Sequence, residues 1–239
     1  MTTTPVPAHV MWHEVECGRY EADLPLWHEL ARDTVDGVLD VGAGTGRVAL
    51  ALARAGHAVT ALDLDAELLA VLTERAADLH VPTLVADAQD FALSEPIGLI
   101  VVPMQTLQLL GDRAAFFASA RRALVPGGRL AAAIACDMEA FDDPDQLPLP
   151  DVGRVEGWTF VSQPVAIRVA PGEYRIERVR EIVAPDGRRE RSEDVIRLAK
   201  VSPGGLAEEA AAHGLEAEEL RRIPETDEHV GAEVVVFRG

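Results

Sequence analysis

The sequence predicts an α/β fold, a doubly wound parallel sheet carrying an inserted antiparallel β-sheet. Three observations lead there. Between Val38 and Cys136 short apolar runs alternate with stretches of helical periodicity. The first run leads directly into a glycine-rich turn, Gly42-Ala43-Gly44-Thr45-Gly46. Beyond Asp137 the pattern changes to β-rich segments broken by turn signals such as Ala170-Pro171-Gly172 and Pro185-Asp186-Gly187.

Each element follows from its composition. The runs Val38–Val41, Ala58–Leu62, Thr83–Ala86, Ile97–Val102 and Arg129–Ala135 are apolar enough for buried strands. Between them Val48–Arg54, Ala66–Ala77 and Asp112–Leu124 read as helices, and Pro126-Gly127-Gly128 is expected to break the chain ahead of the next strand. Upstream, Ala22–Arg32 carries Leu24, Leu26, Trp27 and Leu30 at helical spacing. After a proline-rich connection from Asp142 to Pro150, antiparallel strands are expected at Trp158–Val169, Tyr174–Ala184 and Arg188–Lys200. A helix at Pro203–His213 and strands at Leu215–Arg222 and Ala232–Phe237 close the chain.

The bulk properties narrow the function. A formal net charge of −18 repels polyanions, so nucleic acid and anionic membrane surfaces are not expected partners. No apolar run approaches the roughly 18 residues that a membrane-spanning helix needs. The start, Met-Thr-Thr-Thr-Pro-Val-Pro, lacks the basic and apolar regions of a secretion signal, and Cys17 and Cys136 carry no pairing signature. A soluble cytoplasmic protein is expected.

The sharpest local signal is Val38-Leu39-Asp40-Val41-Gly42-Ala43-Gly44-Thr45-Gly46-Arg47, a strand, a glycine turn and a helix start. Glycines permit positive φ and close approach of a ligand, while the first N–H groups of the helix offer partial positive charge. About twenty residues on, Ala61-Leu62-Asp63-Leu64-Asp65 ends the second strand with a carboxylate, a position from which an acid can accept both hydroxyls of a ribose.

With the third strand ending in Ala86-Asp87-Ala88 and the turn Leu124-Val125-Pro126-Gly127-Gly128, these motifs resemble those of class I S-adenosylmethionine-dependent methyltransferases of the small-molecule type. The resemblance runs from about Gly37 to Cys136 and more loosely to the C-terminus. It implies a Rossmann-like, seven-stranded sheet whose last strand is antiparallel, S-adenosyl-L-methionine as cofactor and S-adenosyl-L-homocysteine as product. It further implies that Gly42, Gly44 and Gly46 pass beneath the methionine moiety and that Asp40 positions the loop and the amino group. By the same resemblance Asp63 holds the ribose, Leu64 lies against the adenine and Asp87 receives its amino group. Ala43, Ala88 and Met104 complete the implied cofactor-binding set.

Ligands of open α/β sheets lie beyond the carboxyl ends of the strands, which directs attention to Pro103-Met104-Gln105-Thr106 and Asp137-Met138-Glu139. Alignment of a nucleophile with an electrophilic methyl group can by itself supply about 7–11 kcal/mol. Tyr20, Gln105 and Asp137 are candidates for orienting the acceptor or taking its proton, with His13, Glu14, Glu16 and Glu139 behind them. Trp12, Trp158 and Phe160 are candidate acceptor walls or, equally, core residues. Neither His9, His13, Glu14 and Cys17 nor Asp142, Asp143 and Asp145 is expected to form a metal site.

The organisation expected is a single domain: a helical cap over residues 1–36, a cofactor-binding core over 37–136, an antiparallel insert over 150–200, and a closing helix and strands over 201–239. The acceptor is expected to be a small molecule methylated on N, O or C, and the protein a monomer or homodimer. Two other readings stand beside this one. A non-catalytic binder or regulatory protein would keep the same loop. A nicotinamide-dependent oxidoreductase would share the architecture, although its G-x-G-x-x-G fingerprint needs glycine where Arg47 stands.

Overall fold

The computed structural model describes residues 4–226 and 229–239; Met1–Thr3, part of the start searched for a secretion signal, lie outside them. The chain forms two compact units. One comprises residues 21–136 and 201–239, the other the residues up to Tyr20 together with 137–200.

The larger unit is a seven-stranded sheet with flanking helices. Helix α2 (Leu24–Ala31) precedes β1 (Val38–Val41), α3 (Arg47–Arg54), β2 (Val59–Asp63), α4 (Ala66–Ala76) and β3 (Thr83–Val85). Then come β4 (Ile97–Val102), α5 (Thr106–Leu109), α6 (Arg113–Ala123) and β5 (Leu124–Ile134). After the other unit the chain returns with α7 (Pro203–Ala211), β10 (Glu216–Ile223) and β11 (Ala232–Arg238). The strand order is β10-β11-β5-β4-β1-β2-β3, and β1 to β5 pair in parallel. Strand β11 runs against both β5 and β10, giving the expected Rossmann-like sheet with an antiparallel last strand.

The sheet is central because its strands are apolar on both faces: β1 is buried throughout, and so is β5 from Leu130 to Ile134. Leu39, Ile100, Leu130, Phe116, Phe117 and Phe237 lie in one continuous core. Burying a side chain of this size contributes about 1.5–3 kcal/mol, so the sheet and α6 dominate the unit's stability.

One boundary differs from expectation. Pro126-Gly127-Gly128 does not separate helix from strand, because β5 begins at Leu124, immediately after α6. Gly127 takes φ +77°, and the pairing of β4 with β5 shifts register there. Gly127 donates to the carbonyl of Gly239, and Gly239 donates to that of Gly128, so a bulge anchored by the C-terminus replaces the break.

The smaller unit is a four-stranded antiparallel sheet, β6 (Asp151–Val155), β7 (Trp158–Ala170), β8 (Glu173–Val183) and β9 (Arg189–Ala199), packed with helix α1 (Ala8–Cys17). Strand β6 was not expected. Trp12 and Phe160 meet edge to face at 5.1 Å inside this unit's core. Both are buried, so they are core residues and not open acceptor walls. Glu16 accepts from Nε and Nη2 of Arg180, both at 2.8 Å, and from the hydroxyl of Ser162 at 2.7 Å, which fixes α1 to the sheet. No described helix is long and apolar enough to cross a membrane.

Candidate cofactor site at the carboxyl ends of the strands

The glycine turn is held from below. Gly42 and Ala43 both donate to the carbonyl of Leu62, and Gly46 donates to that of Ala43. Gly42, Gly44 and Gly46 all take positive φ, which favours glycine. At two of them packing adds a reason: a Cβ on Gly42 would meet Thr106 at 2.6 Å, and one on Gly46 would meet Leu72 at 2.7 Å. The loop is thereby pressed against α5 and α4.

Two carboxylates pin this loop. Asp63 accepts from the N–H of Gly44 at 2.7 Å and, with its other oxygen, from that of Asp65 at 2.9 Å. Asp40 is buried and accepts from the N–H of Ala49, in the first turn of α3, at 2.9 Å. Its second oxygen is buried without a hydrogen-bond partner. Burial pushes Asp40 up to about 7, against the charge of Arg47 and the Ala49 N–H, and the neighbouring Asp23 and Asp63 add to the rise.

Arg47 is itself held by an acid that the sequence pattern did not single out. Asp23, fully buried, receives both terminal nitrogens of Arg47 at 2.5 and 2.8 Å and the indole N–H of Trp27 at 2.8 Å. The one sequence signal was an acid directly ahead of an apolar helix with tryptophan four positions on. Gln108 was missed as well; its side chain exchanges two hydrogen bonds with the backbone of Ala135, at 3.1 and 2.7 Å, and ties α5 to the end of β5.

The second and third strands end beside the loop. Leu64, directly after Asp63, leaves 72% of its surface exposed, an apolar shelf at the end of β2. Ala86 donates to the carbonyl of Asp63, which joins the two strand ends. Asp87 is exposed and Ala88 buried. At the end of β4, Met104 adopts φ +54°, a conformation costing a residue with a side chain about 1–2 kcal/mol. Gln105 follows it, half-buried, as the N-cap of α5.

The sequence-derived set is therefore brought together at one edge: Asp40, the glycine turn, Asp63, Leu64, Asp87, Ala88 and Met104 all stand at carboxyl ends of β1 to β4. Tyr20 and Asp137 belong to the smaller unit, the first buried and the second exposed. A cleft of about 760 Å³ in the core unit lies elsewhere. Gly37, Ala58, Pro82 and Ile97 line it, all near the amino ends of the strands, where this fold places no ligand. Among the described residues no cluster suited to a metal ion occurs.

Comparison with known families matches residues 38–128 to a methyltransferase domain. Residues 38–128 thus carry a methyltransferase domain, set within the Rossmann-like sheet described above. The chain is similar throughout to CalS10 of Micromonospora echinaspora, an amino pentose methyltransferase solved with S-adenosylmethionine, at 19% identity, full coverage of both chains and a TM-score of 0.70. The sugar N-methyltransferase KedS8 from Streptoalloteichus is 21% identical over 100% of this chain and 96% of its own, with a TM-score of 0.74. The glycopeptide N-methyltransferase MtfA, solved with S-adenosylhomocysteine, is 21% identical over 99% and 98% of the two chains, with a TM-score of 0.62. At these identities the likeness concerns the fold, the antiparallel sheet included. Comparison with curated proteins gives no match.

Proposed function

We propose that the enzyme methylates an amino nitrogen of a small, sugar-like molecule. The observation that carries this reading is the coverage of the structural likeness. Proteins named for methyl transfer to an amino pentose, to a sugar nitrogen and to a glycopeptide nitrogen share nearly the whole chain, not the cofactor-binding half alone. The net charge of −18 also favours a cationic or neutral acceptor over a phosphorylated one.

Bound S-adenosylmethionine supplies an electrophilic methyl group on a positively charged sulfur. The residues of this chain bind and orient it. In this reading the unpartnered oxygen of Asp40 and the backbone of Gly42, Ala43, Gly44 and Gly46 take the amino acid end. Asp63, already fixed through Gly44 and Asp65, keeps lone pairs on both oxygens for the two ribose hydroxyls. Leu64 covers the adenine, and Asp87 with Ala88 meets its edge. Met104, at the carboxyl end of β4, would face the bound cofactor, and Gln105 is the residue proposed to orient the acceptor or receive its proton.

The acceptor must present a neutral amine, so any ammonium proton leaves first; the nitrogen lone pair then takes the methyl group as the S–CH3 bond breaks to give S-adenosylhomocysteine, and the methylated ammonium gives up a proton. Alignment supplies much of the rate, and a proton acceptor near neutrality supplies the rest. The test is incubation with methyl-labelled S-adenosylmethionine and amino sugars or their deoxy and hydroxyl analogues. The reading expects label on nitrogen and none on the hydroxyl analogues. Label on oxygen or carbon would replace the nitrogen assignment, and cofactor binding without any labelled product would leave a binder in place of an enzyme.

A further inference from the structure

We infer that Gln89 is the residue that sets the enzyme's preference for a 6-amino purine, by holding the Asp87 carboxylate in the one orientation that meets an adenine amino group. The inference rests on the assignment of Asp87 to the adenine edge and goes beyond it to the residue that makes that edge selective.

Asp87 is exposed, and an exposed aspartate turns freely about its side-chain bonds unless something stops it. Gln89 stops it twice. Its backbone N–H donates to Oδ1 of Asp87 at 2.8 Å, and its side-chain Nε2 is 3.1 Å from Oδ1 and 3.1 Å from Oδ2. Oδ1 therefore receives two donors, while Oδ2 shares a single one and keeps the greater accepting capacity. The same hydrogen bonds hold the Asp87 carboxyl below the usual carboxylate range, so it accepts and does not donate. A permanent acceptor here favours the amino group of adenine and opposes the carbonyl of a 6-oxo purine.

The orientation of the Gln89 amide is set from its far end. Its Oε1 accepts from the backbone N–H of Asp112 at 2.5 Å, and that N–H can only donate. The oxygen must face Asp112, so the NH2 group must face Asp87. The carbonyl of Gln89 accepts from Ser119 Oγ at 3.1 Å, and Ser119 is buried in α6. Asp112 is the N-cap of that helix and accepts from Ala115. The adenine-facing acid is thus braced, through one glutamine, against the first turns of α6.

Gln89→Glu separates the two functions of this side chain. The glutamate keeps an oxygen for Asp112 and the shape of the glutamine, but at pH 7.5 it offers Asp87 a negative charge where it had a donor. Titration calorimetry with S-adenosylhomocysteine and S-inosylhomocysteine reads the outcome, with a melting curve for each variant. The wild type is expected to favour the adenosyl compound by at least tenfold, and Asp87→Ala to lose most of that preference. Gln89→Glu is expected to lose it too, with about tenfold weaker binding of S-adenosylhomocysteine and a melting temperature within a few degrees of the wild type. Gln89→Ala serves as the uncharged comparison, with the same loss of preference expected.

If Asp87→Ala abolishes the preference while both Gln89 variants keep it, the role given to Gln89 is wrong and the adenine assignment stands. If Asp87→Ala keeps the preference, or the wild type has none, the adenine assignment falls and takes this inference with it.

Discussion

Each of the two units of this chain is stabilised internally by different means. The core unit rests on a sheet buried on both faces, with few buried charges, and those few cluster at the glycine turn: Asp23 with Arg47, and Asp40. The smaller unit has a small apolar cluster around Trp12 and Phe160, and its sheet is laced with ion pairs, among them Arg180 with Glu16 and Asp194, and Arg178 with Asp151. Where apolar burial carries the fold, a buried carboxylate such as Asp40 keeps one oxygen without a hydrogen-bond partner. Where charges carry the fold, they are already committed. Glu16 illustrates the second case, since a residue considered as a proton acceptor proves to be tied to Arg180 and Ser162.

The contrast can be attacked at its strongest point first. Asp23→Ala would remove the fully buried carboxylate that pairs through two hydrogen bonds with half-buried Arg47 and accepts from the Trp27 indole. A loss of about 3–5 kcal/mol in chemical denaturation is expected. A loss under about 1 kcal/mol would mean that the pair is a surface contact in effect. Asp63→Ala comes next. Removing a carboxylate from two ribose hydroxyls and from the Gly44 N–H should weaken S-adenosylhomocysteine about a hundredfold in calorimetry. Glu16→Ala, by contrast, should act through stability alone, at about 2–3 kcal/mol, with faster hydrogen exchange in β7 and β8 as its signature.

A smaller effect should appear with pH. Asp40 titrates near 7 in the free protein because burial disfavours its charge. A raised carboxyl stabilises the free fold at low pH, and this contribution is lost as pH rises from the unfolded value toward about 7. The ligand's ammonium group, set against Asp40, favours the ionised form, so S-adenosylhomocysteine should bind about tenfold more tightly at pH 8 than at pH 6, with a proton released below 7. Asp40→Asn should flatten that dependence. The smallest expected change is Met104→Gly, which relieves the backbone strain at φ +54° and should raise stability by about 0.5–1 kcal/mol while lowering the rate of methyl transfer.

How far the sequence could be read follows the same division. The parallel strands were legible because each is a short apolar run closed by polar residues, and the loop because Gly42, Gly44 and Gly46 interrupt that pattern at one place. Strand β6 was not, since Gly153 and Arg154 sit in the middle of a short strand and no alternation marks it. The Pro126-Gly127-Gly128 segment looked like a break because local signals cannot register that Gly239 comes back to pair with it. The polar contacts at the site were invisible for the same reason. Arg47 finds Asp23, Gln108 finds Ala135 and Gln89 finds Asp112 only after the chain has folded. Residue type singled out the acids proposed to meet the cofactor; the residues hydrogen-bonded to those acids are set by tertiary structure.

The claim on which the rest depends is that the crevice beyond the carboxyl ends of β1 to β4 holds S-adenosylmethionine. A crystal structure with S-adenosylhomocysteine tests it most directly. The account predicts the ribose on Asp63, the adenine between Leu64 and Asp87, and the amino acid end over the Gly42–Gly46 turn. Ligand density in the cleft beside His57 and His80 at the opposite ends of the strands, or a ribose turned away from Asp63, would contradict it.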